Sequence, residues 1–132
     1  MKQFSSFLFL TCMIALMSFT ISDIAPRWEK LGERRVNLGL DHDRIEVGAR
    51  DGYFSKLKII VRNSGINCHK IVVHFGNGES QNIDIRQDIP SGGESRVIDI
   101  DGRKRVIKHV DFWYDTKGLI NDRAVGELWG RH

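Results

Sequence analysis

The side chains best suited to bind a ligand stand at alternate positions near the C-terminal end of the sequence. His109, Asp111 and Trp113 are separated by Val110 and Phe112. In a β-strand such a polar series lies on one face and the apolar series on the other. An indole can stack on the C–H groups of a sugar while a carboxylate accepts its hydroxyls. The stripe is therefore interpreted either as a carbohydrate platform or as an exposed sheet face with ordinary cross-strand pairs.

A dense group of positive charges precedes this stripe. Arg103, Lys104, Arg105 and Lys108 follow the turn dipeptide Asp101-Gly102. Cations at one end of a hairpin can contact phosphate groups or anionic lipid head groups. The alternative is a solvated turn that discourages aggregation at a sheet edge. Within it, Arg105 is expected to pair with Asp99 across the turn.

Metal binding is considered for an acidic segment and for the histidines. Asp41, Asp43 and Asp51 are candidate calcium ligands, because calcium prefers several oxygen ligands. Arg44 would neutralise part of their charge, the EF-hand spacing is absent, and aspartates also accept backbone hydrogen bonds in turns. The five histidines show no zinc-ligand spacing. The expectation is no cofactor, with calcium as the one alternative.

Motifs for catalysis are missing from the sequence. It contains no nucleophile elbow, no phosphate-binding loop and no metalloprotease helix motif. Cys68 follows the predicted leader and is expected to be a half-buried apolar residue without a chemical role. Whether the protein is an enzyme is left open, with a non-catalytic role favoured. The alternative is a small hydrolase whose residues meet only in the fold.

Short runs of β-forming residues alternate in polarity and are separated by turn residues, which is typical of antiparallel strands. Asn77-Gly78 predicts a two-residue hairpin of type I′. On the longest run, Val106, Val110, Phe112 and Tyr114 are expected to share one face. Trp28 to Arg35 are expected to form a short turn. The predicted strands lie at residues 34–40, 44–47, 57–62, 71–75, 82–86, 96–100, 106–114 and 124–129. The fold expected is all-β, a single antiparallel β-sandwich, jelly-roll-like, with about eight strands.

The N-terminal segment differs from the rest of the sequence. Lys2 is followed by an apolar run and then by the small residues Thr20 and Ser22, which is the layout of a secretory signal. Residues 1–22 are therefore predicted to be a signal helix and residues 23–132 one domain. The protein is expected to be exported, either periplasmic or secreted. An uncleaved membrane anchor is the alternative.

Four different motifs of turn residues and glycines follow one another along the sequence. They are Asp51-Gly52, Phe75-Gly76-Asn77-Gly78, Ser91-Gly92-Gly93 and Leu128-Trp129-Gly130-Arg131. The sequence resembles a group of small, exported, uncharacterised bacterial proteins. This resemblance implies an all-β fold and export, and it implies no catalytic residue.

The net charge and the predicted export together limit the range of functions to be expected. The formal net charge is +3, which is too small for a dedicated nucleic-acid binder. We expect a non-catalytic binding module of the bacterial envelope, with a glycan, an anionic envelope surface or a protein as partner. Convergence of Asp41, Asp43, Asp51 and a histidine in one cleft would instead favour the hydrolase.

Overall fold

The computed structural model describes residues 27–36, 41–116 and 123–132. The described residues form nine strands and a short 3-10 helix at Ala49–Asp51. The strands are β1 (Trp28–Arg35), β2 (Asp41–Glu46), β3 (Tyr53–Phe54), β4 (Lys56–Arg62), β5 (Ile66–Phe75), β6 (Ser80–Ile89), β7 (Ile98–Asp99), β8 (Arg105–Thr116) and β9 (Val125–Arg131). The predicted leader, residues 1–22, lies outside the described residues. Within them, no helix has the length and apolar character needed to span a membrane.

The strands pair as one long hairpin that is rolled up. At its tip β5 pairs with β6, and outward from there β4 pairs with β7, β2 with β8 and β1 with β9, all antiparallel. Successive pairs fall in two sheets, which we call sheet A (β1-β9-β4-β7) and sheet B (β2-β8-β5-β6). The two-residue β3 also pairs with β8. Apart from β3, these eight strands have the nested pairing of a jelly roll, so the predicted all-β sandwich is confirmed.

The core lies between the two sheets. Leu57, Ile59 and Val61 point inward from β4, and Ile71 and Val73 point inward from β5. Buried residues from both sheets form one continuous apolar cluster. The polar residues between them are left on the outer faces, as a strand period of two requires. Every candidate binding residue on those outer faces is therefore held by a strand packed on this core.

Two local predictions are corrected by the pairing. Trp28–Arg35 is a strand and not a turn, because its backbone pairs with β9 along its length. In β8 the predicted inward face changes at a bulge, since Phe75 pairs with Ile107 whereas His74 pairs with His109. The extra residue reverses the facing, so Ile107 is completely buried and Val106 is only half-buried.

The tip of the long hairpin confirms a hairpin at Asn77-Gly78, but the predicted two-residue loop and the predicted type I′ turn are both wrong. The loop between β5 and β6 has four residues, 76–79, and the Phe75 N–H donates to the Glu79 carbonyl. Gly78 takes a φ of 93°, whereas Asn77 is not among the described residues with positive φ. The Asn77 Oδ1 instead accepts a hydrogen bond from the Glu79 N–H at 3.0 Å. The side chain thus shapes the turn.

Candidate functional site

A buried carboxylate stands at the centre of the outer face of sheet B. Asp111 is on β8 and is only 4 % exposed. Arg44 lies directly opposite it on β2. Its guanidinium donates from Nε to Oδ1 at 2.8 Å and from Nη2 to Oδ2 at 3.2 Å. This two-point pair orients the carboxylate and neutralises its charge.

Three histidines surround the same carboxylate. His42 Nε2 lies 3.2 Å from Oδ1, His74 Nε2 lies 3.0 Å from Oδ2, and His109 Nε2 lies 4.0 Å from Oδ2. They come from β2, β5 and β8, and these strands are neighbours in sheet B. We call Arg44, the three histidines and Asp111 the Asp111 cluster.

Protonation in the Asp111 cluster follows from burial and charge. Burial alone would raise the pKa of Asp111, but the hydrogen bonds from Arg44 and His42 outweigh it and hold the pKa below its ordinary value. Burial, and after it the positive charge of Arg44, lowers the pKa of His109. The cluster therefore combines an ionised carboxylate with a neutral imidazole at neutral pH.

Trp113 continues the outer stripe beyond Asp111. The ring of His42 stacks on its indole, with 4.5 Å between centroids and 17° between planes. The Lys70 ammonium lies 4.4 Å from the centre of the same ring. His42 on β2 and Lys70 on β5 both pair with Trp113 from the two strands that flank β8, so they hold the indole from opposite sides.

An open groove runs from Trp113 toward β6. It has a volume of about 530 Å³. We call it the Trp113 groove, and its lining residues are His69, Lys70, Asp84, Arg86 and Trp113. Nη2 of Arg86 lies 3.7 Å from Oδ2 of Asp84, and both side chains are largely exposed. The groove thus offers two cations, one carboxylate and an aromatic ring to a ligand.

The basic residues of the predicted anionic-surface site are divided in the structure. Arg103, Lys104 and Lys108 are exposed. Arg105 packs over the ring of Phe75 at 3.9 Å and donates to the Glu79 carboxylate at 2.5 Å. Arg105 of β8 therefore has a structural role, because it holds the hairpin between β5 and β6 through Phe75 and Glu79.

The predicted pair between Arg105 and Asp99 is wrong. Asp99 lies on β7 in sheet A, where it pairs in register with Lys56 of β4. The Lys56 ammonium forms an ion pair with the Asp99 carboxylate. The turn at Asp101-Gly102 connects β7 of sheet A to β8 of sheet B. The residues on either side of this turn therefore lie in different sheets and do not meet.

The candidate calcium ligands lie at two ends of sheet B. Asp41 and Asp43 are near the Tyr114 hydroxyl, which donates to both carboxylates. Asp51 ends the 3-10 helix, and Tyr53 just after it pairs with Val106 of β8. Eight strand residues, about 26 Å, separate these two places along β8. The structure does not bring Asp51 to Asp41 and Asp43.

Cys68 is more deeply buried than the sequence suggests. It is 0 % exposed on β5, where a half-buried position was expected. Burial raises the pKa of its thiol to about 12, so the reactive thiolate is scarce at neutral pH. This environment is that of a core residue.

Seven residues of the Asp111 cluster and the Trp113 groove are not predicted as site residues by the sequence. They are His42, Arg44, His69, Lys70, His74, Asp84 and Arg86. His42, Arg44, Lys70 and His74 lie beside the stripe of His109, Asp111 and Trp113. The signal was the alternation of polar and apolar residues on β2 and β5. It shows which side chains face outward, but not that β2 and β5 flank β8.

Comparisons with known proteins bear on the family and little else. No curated protein sequence matches the chain. A solved structure reported under the description "Structural and functional characterization of Pseudomonas aeruginosa AlgX" matches with a TM-score of 0.43 and 9% identity. The match covers 73% of this chain and 24% of that one, so the chain spans about a quarter of its length. A family model matches residues 7–130, and the chain therefore belongs to the family described as a domain of unknown function, DUF2541.

Proposed function

We propose that this domain is a non-catalytic, exported binding module that binds an acidic carbohydrate in the Trp113 groove. The observation that carries this proposal is the indole of Trp113, held by His42 on one side and covered by Lys70 on the side of the groove. An ordered aromatic ring beside polar groups is suited to a sugar, whose C–H groups pack on the ring.

Lys70 supports an acidic sugar in preference to a neutral one. Its side chain is exposed, so its ammonium can leave the indole when a sugar ring takes its place. The same ammonium can then pair with a carboxylate or sulfate on that sugar. Arg86 across the groove supplies a second cation, and Asp84 can accept hydroxyl hydrogen bonds.

The hydrolase alternative has less support from the geometry. The carboxylate of Asp111 has its charge neutralised by Arg44 and its pKa lowered, whereas a general acid needs a raised pKa. Asp41 and Asp43 also stand far from Asp51 along β8. The arrangement that would favour a hydrolase is thus missing from the described residues.

The binding test uses oligogalacturonate as an acidic probe and a cello-oligosaccharide as a neutral one. We expect oligogalacturonate to change the tryptophan fluorescence, and Lys70→Gln to weaken its binding about tenfold, the value of one charged contact. Added salt should weaken binding as well.

A matched control is available on the other sheet. The Lys58 ammonium lies 4.4 Å from the centre of the Trp28 ring, the same distance as in the pair of Lys70 and Trp113. Lys58→Gln should leave binding unchanged. Equal loss in both variants, or no binding of oligogalacturonate by the wild type, would refute the proposed site.

Export is part of the same proposal, and the supporting pattern is Lys2, the apolar run after it, and the small residues Thr20 and Ser22. We expect the protein recovered from the periplasm or medium to have lost its first 22 residues or so. Its intact mass would show this. An intact mass equal to that of the whole sequence from Met1 would favour the uncleaved anchor.

A further inference from the structure

We propose that His74, His109 and Asp111 form a binding site for a divalent transition-metal ion of the zinc type. This inference does not depend on the carbohydrate proposal, since none of the three residues lines the Trp113 groove. The three residues are the one group of at least three His, Cys, Asp or Glu in the described part of the chain whose ligand atoms all lie within 4.8 Å of one another.

Strand pairing places the three ligands on one face. His74 of β5 lies directly opposite His109 of β8, and Asp111 is two residues further along β8. Two opposite residues and the next residue on the same face are close neighbours in any antiparallel pair. The imidazole rings of the two histidines are 4.3 Å apart at their centroids.

The existing distances are close to those that a metal requires. Asp111 Oδ2 lies 3.0 Å from Nε2 of His74 and 4.0 Å from Nε2 of His109. A tetrahedral zinc ion with bonds of about 2.1 Å keeps its ligands about 3.4 Å apart. Small rotations of the side chains therefore suffice, and both ligand-bearing strands are held by neighbours on each side.

The donor set selects the class of ion. Two imidazole nitrogens and one carboxylate oxygen suit Zn²⁺, Cu²⁺ or Ni²⁺, whereas Ca²⁺ and Mg²⁺ prefer sites made of oxygens. Three protein ligands leave a fourth position for water or a ligand atom. On binding, each histidine offers an unprotonated Nε2, and any proton displaced from it goes to the solvent.

Charges around the site set the expected strength of binding. Arg44 holds Asp111 and opposes a cation, while Glu46, next on the same face of β2, attracts one. Arg44 also orients the carboxylate, as a partner of a ligand commonly does. We expect an affinity below that of a closed structural zinc site.

The experiment uses the full chain, treated with chelator and free of any histidine tag. Cobalt is added first, and zinc then displaces it in a calorimetric titration. We expect one ion per chain and the intense visible bands of tetrahedral cobalt. His74→Gln and His109→Gln should each lower zinc affinity at least about tenfold. Both side chains are partly exposed, so the fold should survive, and circular dichroism verifies this.

His69→Gln is the matched control. His69 Nε2 forms a comparable pair with Asp115 Oδ2 at 2.7 Å, but the pair is not part of the three-residue group. This variant should bind zinc as the wild type does. The proposal is overturned if no stoichiometric ion binds, if cobalt stays octahedral, or if His74→Gln and His109→Gln bind as tightly as the control.

Discussion

Gly130→Ala is expected to destabilise the domain by about 2–3 kcal/mol, because its new methyl group has no room in the core. A Cβ at this position would lie 2.7 Å from Phe54 Cδ1 and 2.9 Å from Leu31 Cδ1. Phe54 is completely buried, and the ring of His132 stacks on it at 4.5 Å. The phenyl ring therefore cannot move away from a methyl group at position 130 without disturbing its existing contacts.

Gly126→Ala is the control, on the same strand. Its Cβ would lie 4.0 Å from Phe112 Cε2, an ordinary contact, and Gly126 lines a small apolar space between the sheets. Adding a methyl there also reduces the freedom of the unfolded chain. We expect its stability to be unchanged or higher by up to about 1 kcal/mol. Urea unfolding measures both variants, and equal stabilities would contradict the close packing of Gly130 on Phe54.

Glu127→Gln is expected to lower the free energy of unfolding by about 1–2 kcal/mol at pH 7, through loss of charge-assisted hydrogen bonds. Glu127 is 6 % exposed on the outer face of sheet A. It accepts from Trp129 Nε1 at 3.0 Å and from Arg62 Nε at 2.6 Å. Lys30 Nζ lies 3.2 Å away. Gln keeps the shape of the side chain, but it has one acceptor oxygen where Glu127 has two. The variant therefore loses the negative charge together with the hydrogen bonds accepted by one of the two oxygens.

The pKa of the Glu127 carboxyl determines how this loss of stability depends on pH. Burial alone would raise the pKa of Glu127, but the hydrogen bonds from Trp129, Arg62 and Lys30 outweigh it and keep the pKa below the ordinary 4.5. A lowered pKa in the folded state stabilises the protein above the unfolded-state value, and this contribution is lost as pH falls through the folded-state value. The difference in the free energy of unfolding between the wild type and Glu127→Gln should therefore be constant near neutral pH and become smaller below about pH 4.5.

The control for this prediction is Asp99→Asn. Asp99 also pairs with a lysine in sheet A, but its side chain is 79 % exposed. An exposed ion pair contributes little, so the change should stay within about 0.5 kcal/mol. Stability curves for both variants over pH 3–8 provide the measurement. A Glu127→Gln protein as stable as Asp99→Asn at pH 7 would show that the buried carboxylate gains nothing from its charge.

Local pattern was enough to predict the class of fold. The alternation of Leu57, Ile59 and Val61 with polar neighbours specifies one buried face, and Gly78 marks the tip of the long hairpin with a φ of 93°. The same alternation correctly placed His109, Asp111 and Trp113 on an outer face. These features depend on residues two to four positions apart, where the geometry of a single strand is decisive.

What surrounds those residues was decided by the tertiary structure alone. Arg44 and Asp111 are 67 positions apart, and His74 and Asp111 are 37 apart. A strand pattern states which way a side chain faces, but any of several strands with the same pattern can become its neighbour. The rolled hairpin places β2 and β5 on either side of β8. Only this arrangement turns scattered histidines and an unremarkable arginine into one cluster around a buried carboxylate.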